Sequence, residues 1–309
     1  MKKKVWCGLG LVLALTMLLV GVVGCGGGEA GPGDGPTIVV GSKTFTEALL
    51  LGTMTYEYLK DLGYDVEDQI GLGEVAVIRP ALESGEVSCY WEYTGTVLIN
   101  IMGEEPSFDE EACFQAVKEW DEKENEIIWL DYAPLNNTYA IMVRGDIAEE
   151  YNLQKTSEFV ALVEEGVDFQ FVGAQEWIER PDGLQHWENI YNFKYPEKNM
   201  KAAELNIGYE LLREKQADAG LAFTTDPRVK AYGIVALEDD KSAFPVYNAA
   251  PLFRKDILDA YPDIPEQMKK LTVLLDDETI MGLNEKVDVD KKMVEEVAVQ
   301  FLKDNGLIK

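Results

Sequence analysis

Thr37-Ile38-Val39-Val40-Gly41-Ser42-Lys43-Thr44-Phe45-Thr46-Glu47 changes its period halfway along. Residues 37–40 are a short apolar run with the pattern of a buried strand, and the run stops at Gly41-Ser42. From Thr44 the spacing turns helical. Thr44 and Glu47 fit the S/T-x-x-E pattern of a capping box, and Leu51, Met54, Tyr58 and Leu62 then share one face until Gly63 ends it. A strand that passes through a tight turn into an amphipathic helix is the building unit of an α/β fold. It also puts that turn at a strand end, where clefts in such folds are lined.

The rest of the chain repeats the alternation. Residues 65–70, 88–91, 127–130, 138–143, 169–172, 219–223 and 234–237 read as strands. Residues 76–84, 110–124, 157–165, 181–192 and 206–215 read as helices, and from Asp256 the chain is mostly helical, ending with 290–305. Two breaks interrupt the alternation, near 131–136 and 240–245. They suggest two lobes joined by two crossings: residues 37–134 and 245–309 as lobe 1, with residues 135–244 inserted as lobe 2. A chain of 309 residues suits two cores of roughly 100–150 residues better than one. Two crossings make a hinge, and a cleft between lobes is a favoured place for a small ligand.

The first 24 residues have a different character. Lys2, Lys3 and Lys4 precede a nearly unbroken apolar stretch, and Val22-Val23-Gly24-Cys25 is followed at once by three glycines. That order is a secretory signal over residues 1–24. Small residues directly before a cysteine resemble the bacterial lipobox, which would make Cys25 the lipidated first residue of the exported protein. Residues 25–36 are Gly- and Pro-rich without periodicity, the composition of a flexible tether. The alternative is an uncleaved membrane anchor, since 19 apolar residues just span a bilayer. Cys89 and Cys113 then remain, either as a disulfide that an extracytoplasmic setting permits or as two buried thiols in a strand and a helix.

Charge narrows the partners. The chain has 28 Lys+Arg against 56 Asp+Glu, and removing the three leader lysines leaves 25 against 56. Such a surface repels nucleic acid and anionic headgroups, so a nucleic-acid partner is not expected. One histidine, His186 beside Trp187, precludes a His-based metal site, and its default reading is a helical packing residue. The cysteines lack zinc spacing. There is no G-x-S-x-G elbow, Walker A loop or G-x-G-x-x-G after a strand, so neither a metal nor a cofactor is expected. Counting cannot dismiss a secreted hydrolase with paired carboxylates in so acidic a chain, but nothing singles out a pair.

Five segments put an aromatic or a cation at a strand end or helix start: Gly41-Ser42-Lys43-Thr44-Phe45-Thr46-Glu47, Trp91-Glu92-Tyr93-Thr94-Gly95-Thr96, Ala133-Pro134-Leu135-Asn136-Asn137-Thr138-Tyr139, Arg180-Pro181-Asp182-Gly183-Leu184 and Phe244-Pro245-Val246-Tyr247-Asn248-Ala249-Ala250-Pro251. With the Thr224-Thr225-Asp226-Pro227-Arg228 turn, and in this order, they resemble the glycine betaine/carnitine/choline-binding family of ABC transporter substrate-binding proteins, over nearly all of the chain after the tether. The resemblance implies a two-lobed, periplasmic-binding-protein-like fold of type II that closes on a ligand. It implies no enzymatic activity.

It also implies a site. An aromatic cage of Tyr93, Tyr139, Phe223 and Tyr247 would surround a trimethylammonium group, and Lys43, Thr96 and Arg180 would hold the carboxylate at the other end of a betaine. Phe223 stands where the family pattern has Tyr, Ala48 where many relatives have Gln, and Pro227 where a glycine is usual. The implied partners are a small zwitterionic quaternary-ammonium ligand, an ABC permease with a separate ATPase, and the outer face of the cytoplasmic membrane through the lipid on Cys25, with the protein a monomer. Carnitine, choline, proline betaine or an amino acid are alternative ligands. Each site residue also has a plainer reading: Lys43 as the neutraliser of Glu47, Tyr93 and Tyr139 as core aromatics, Arg180 as a brace for the helix after it.

Overall fold

Ile38 and Val40 are fully buried in the computed structural model, which describes residue 33 and residues 35–180 and 183–309. The signal at 1–24, Cys25, and the tether apart from Gly33, Gly35 and Pro36 lie outside the described residues. In chain order the strands are β1 Ile38–Gly41, β2 Val66–Gln69, β3 Cys89–Tyr93, β4 Ile127–Trp129, β5 Tyr139–Arg144, β6 Phe171–Gly173, β7 Met200–Ala202, β8 Ala219–Phe223, β9 Ile234–Ala236 and β10 Ala249–Arg254. They form two five-stranded sheets, ordered β2-β1-β3-β10-β4 and β7-β6-β8-β5-β9. Both sheets are mixed. In the first, β1 runs parallel to β2 and β3 while β10 runs antiparallel to β3 and β4. In the second, β6 is parallel to β7 and β8, and β5 is antiparallel to β8 and β9. The protein is thus an α/β, two-lobed molecule with one buried cluster on the first sheet and two on the second.

Sheet membership follows from burial. All five residues of β3 are buried; the strand is interior, between β1 and β10, and the helix Thr46–Asp61 packs on it. β10 belongs to the first sheet although the whole second sheet precedes it in the chain, so the chain crosses between sheets twice. The two crossings bond to each other: the Ala133 N–H donates to the Ala249 carbonyl at 2.8 Å, the Asn137 N–H to the Tyr247 carbonyl at 3.2 Å, and the Thr138 hydroxyl to the Pro245 carbonyl at 2.7 Å. Asn136 and Asn248 form an antiparallel bridge there.

The first helix, Thr46–Asp61, corrects one expectation. Its N-cap is Phe45, in extended conformation and without a side-chain cap. Thr44 instead bonds through its hydroxyl to Glu74, and Glu47 turns inward. A capping box is a local option, and both of its members found stronger partners across the fold. The helix read at 76–84 is present as Val75–Ser84 and closes on Gly85 at φ 84°, a conformation that costs other residues more. Cys89 on β3 and Cys113 on the helix Glu110–Asn125 are free, buried thiols. His186 lies on the helix Leu184–Tyr191 with its ring stacked 6.5 Å from Phe108. No helix of the described residues is long and apolar enough to cross a membrane.

Candidate ligand-binding site

Tyr139 opens β5 and Phe223 closes β8, and the two are register partners. Cross-strand partners on one face stand close enough for rings to meet, and here they stack with centroids 5.0 Å apart. Tyr93 ends β3 in the other sheet, paired with Ala249. Tyr247 sits two residues before β10, on the second crossing, where its N–H donates to the Asn136 side chain at 2.8 Å. Its ring lies 5.9 Å from Tyr139, edge to face. Gly95, in the turn after Tyr93, makes that position possible: a Cβ there would meet the Val246 carbonyl at 2.4 Å and the Tyr247 ring at 2.8 Å.

Phe45 joins the rings of the two sheets. It lies 5.9 Å from Tyr93 on the first sheet and 6.4 Å from Phe223 on the second. The result is a continuous run, Tyr93, Phe45, Phe223, Tyr139, Tyr247, drawn from both sheets and the second crossing between them. All four rings expected from the sequence fall within it. Phe45 was not anticipated, although it lies within the Gly41-Ser42-Lys43-Thr44-Phe45-Thr46-Glu47 turn. Phe244 adds an edge at 6.3 Å from Tyr139.

The charged groups are arranged around the run. Arg180 donates to the Tyr139 hydroxyl at 3.2 Å and to the Tyr247 hydroxyl at 3.0 Å, with its guanidinium 5.9 Å from the Tyr139 ring. It is half-buried, so one planar cation stands at the rim of two cage rings. Thr96 is half-buried in the turn Thr94–Thr96, three residues past Tyr93. Lys43 is buried, 5.0 Å from the centre of the Tyr93 ring, and its ammonium pairs with buried Glu92 and not with Glu47. Glu92 also accepts from the Tyr90 hydroxyl at 2.9 Å and the Tyr93 N–H at 2.7 Å. Lys43 therefore reaches the site with its charge already met.

Glu47 is the group that sequence reasoning misassigned. It accepts from the Tyr93 hydroxyl at 2.7 Å, from Asn137 at 2.9 Å and from Asn284 at 3.4 Å. Burial pushes its carboxyl above the ordinary range, and hydrogen bonds from Tyr93, Thr225, Asn137 and Asn284 pull part of the way back. The same burial, with the Glu47 charge, pushes the Tyr93 phenol well up, so the phenol keeps its proton and donates it. Asn284 also donates to the Thr225 carbonyl at 3.2 Å, which ties the turn of the second lobe to a helix of the first. Pro227 in that turn has φ −69°, ordinary for proline, so the glycine usual in the family is not required there. Among the described residues no cluster of three or more His, Cys, Asp or Glu is placed to hold a metal ion.

An aromatic run with a cation at one end and a buried acid at the other offers contacts to both signs of charge. The family described as the substrate binding domain of ABC-type glycine betaine transport systems matches residues 36–304. A glycine-betaine-binding protein of Pseudomonas aeruginosa is 33% identical over 285 residues, covering 90% of this chain and 91% of that protein. A carnitine transport binding protein of Listeria monocytogenes is 32% identical over 312 residues, covering 99% and 98%. Among solved structures, apo YehZ from Escherichia coli superposes with a TM-score of 0.72 at 30% identity, over 88% of this chain and 100% of that one.

Proposed function

The chain belongs to the substrate-binding family of ABC-type glycine betaine transport systems, a family of extracytoplasmic binding components and not of enzymes, and from that premise we propose that it captures glycine betaine or a close quaternary-ammonium relative. One observation carries the reading: Tyr93, Phe45, Phe223, Tyr139 and Tyr247 meet between the two sheets, beside Arg180. A quaternary ammonium has no N–H and cannot be held by hydrogen bonds. Its charge is spread over methyl groups, and the electron-rich faces of rings attract it by about 0.5–2 kcal/mol each. Arg180 and Thr96 take the ligand carboxylate, Arg180 with the geometry to grip two oxygens. Lys43 contributes from within its pair with Glu92.

Residues 37–134 and 245–309 act as one lobe and 135–244 as the other, hinged at the paired crossings, and closure expels water from the cage. A drier cage strengthens both kinds of contact. Lipid on Cys25 holds the protein, as a monomer, at the outer face of the cytoplasmic membrane, where it delivers ligand to a permease driven by a separate ATPase. Titration calorimetry with glycine betaine, carnitine, choline, proline betaine and proline tests the ligand. Glycine betaine is expected to bind tightest. Turnover of any of them, or binding confined to proline, would overturn the reading.

A further inference from the structure

Glu47 has no part in the ligand contacts just assigned. It is 2% exposed, yet among the described residues it makes no ion pair. Its partners are neutral donors: the Tyr93 phenol and Asn137 on one oxygen, Asn284 on the other, with the Thr225 hydroxyl beside them. Every one of these partners donates to it, which is the set of contacts that stabilises an ionised carboxylate. Lys43, four residues earlier and ahead of the helix, is held by Glu92, and that pair adds no net charge. A buried carboxylate without a cation is costly, and this one stands directly behind a cage ring.

We propose that Glu47 is a specificity-determining residue: acting through the Tyr93 phenol, it sets a negative charge behind the Tyr93 end of the cage, while Arg180 stands at the Tyr139 and Tyr247 end, and a permanently cationic nitrogen on the rings balances it. The inference deepens the quaternary-ammonium reading and rests on it. Two effects work together. A phenol that donates to a carboxylate has a more electron-rich ring, so its face draws a cation harder. The carboxylate also acts directly. With 2.7 Å between the Tyr93 oxygen and Glu47, an ammonium on the ring face lies about 7 Å from the negative charge, where the attraction at an effective permittivity of about 20 changes affinity roughly tenfold or more. A betaine carries its own carboxylate, which Glu47 repels from farther away. The net change for the zwitterion is therefore smaller, about threefold.

The test is calorimetry at pH 8 on the full chain with three probes: tetramethylammonium chloride, choline chloride and glycine betaine. Glu47→Gln should weaken tetramethylammonium and choline about tenfold or more and glycine betaine about threefold or less. Tyr93→Phe keeps the ring, cuts its link to the carboxylate and should move the choline-to-betaine ratio the same way, with the double variant short of the product of the two. A merely structural Glu47 would weaken all three probes by one factor, and that result overturns the proposal. So does a wild type that binds glycine betaine but not tetramethylammonium. Should Glu47→Gln fail to fold, an unchanged ratio in Tyr93→Phe overturns it instead. A wild type that binds none of the probes refutes the quaternary-ammonium reading itself, and this inference with it.

Discussion

Replacing Lys43 by Met, Glu92 by Gln, and both together separates a ligand clamp from a structural ion pair. The two side chains are 4% and 0% exposed. Lys43→Met leaves the Glu92 carboxylate buried with only the Tyr90 hydroxyl and the Tyr93 N–H to stabilise it. Glu92→Gln leaves an ammonium buried without its counter-ion. Breaking a buried pair from either side costs about 3–5 kcal/mol, because one charge stays behind without compensation. For a chain of this size that lowers the melting midpoint by about 6–20 °C. The double variant removes both charges and should cost well under the sum, with a coupling of about 2 kcal/mol or more. Scanning calorimetry on the four ligand-free proteins reads all of this. Single variants that each shift the midpoint by less than about 2 °C, or a double variant equal to the sum, would refute the reasoning and return Lys43 to the ligand as an unpaired clamp. Titration of the same proteins adds a second reading: Lys43→Met should weaken glycine betaine less than Arg180→Ala does.

Arg180→Ala should weaken glycine betaine far more than choline, since only the betaine offers a carboxylate to the guanidinium; equal losses in parallel titrations would remove Arg180 from the clamp. Tyr247→Phe keeps the ring beside Tyr139 and Gly95 and should retain most of the affinity, whereas Tyr247→Ala should lose roughly 2- to 30-fold per the cation–π contact alone. Glu47 has a raised carboxyl in the fold, against an ordinary value of 4.5. The folded state therefore holds its proton longer than the unfolded one, and the contribution is present below the unfolded value and lost as pH rises through the folded value. Melting midpoints measured upward from pH 4 should fall less in Glu47→Gln than in the wild type.

Several features were legible locally. Eight of the ten strands followed from periodicity because buried faces repeat with the element's own period, while β7 and β10 did not stand out; three of the expected rings stand at strand ends and Tyr247 two residues before one. Other features had no local signal. Thr44 and Glu47 match a capping box, yet the structure gives Thr44 to Glu74 and Glu47 to Tyr93, partners 30 and 46 residues away. Lys43 sits four residues from Glu47 and pairs with Glu92 instead. Asn284, 237 residues from Glu47, belongs to the same network and carries no motif. Each of these is a choice among competing polar partners, and burial makes the choice by deciding which groups lose their water.

Residue order by itself determined most of the elements and the set of aromatics near strand ends, because propensity, period and turn chemistry act over a few residues. Only the tertiary structure decided that Tyr139 and Phe223 are register partners, that Phe45 bridges the lobes, that Lys43 is neutralised and that Glu47 is not. Those outcomes depend on contacts between residues far apart in the chain, where electrostatics and desolvation are set by what the fold buries together.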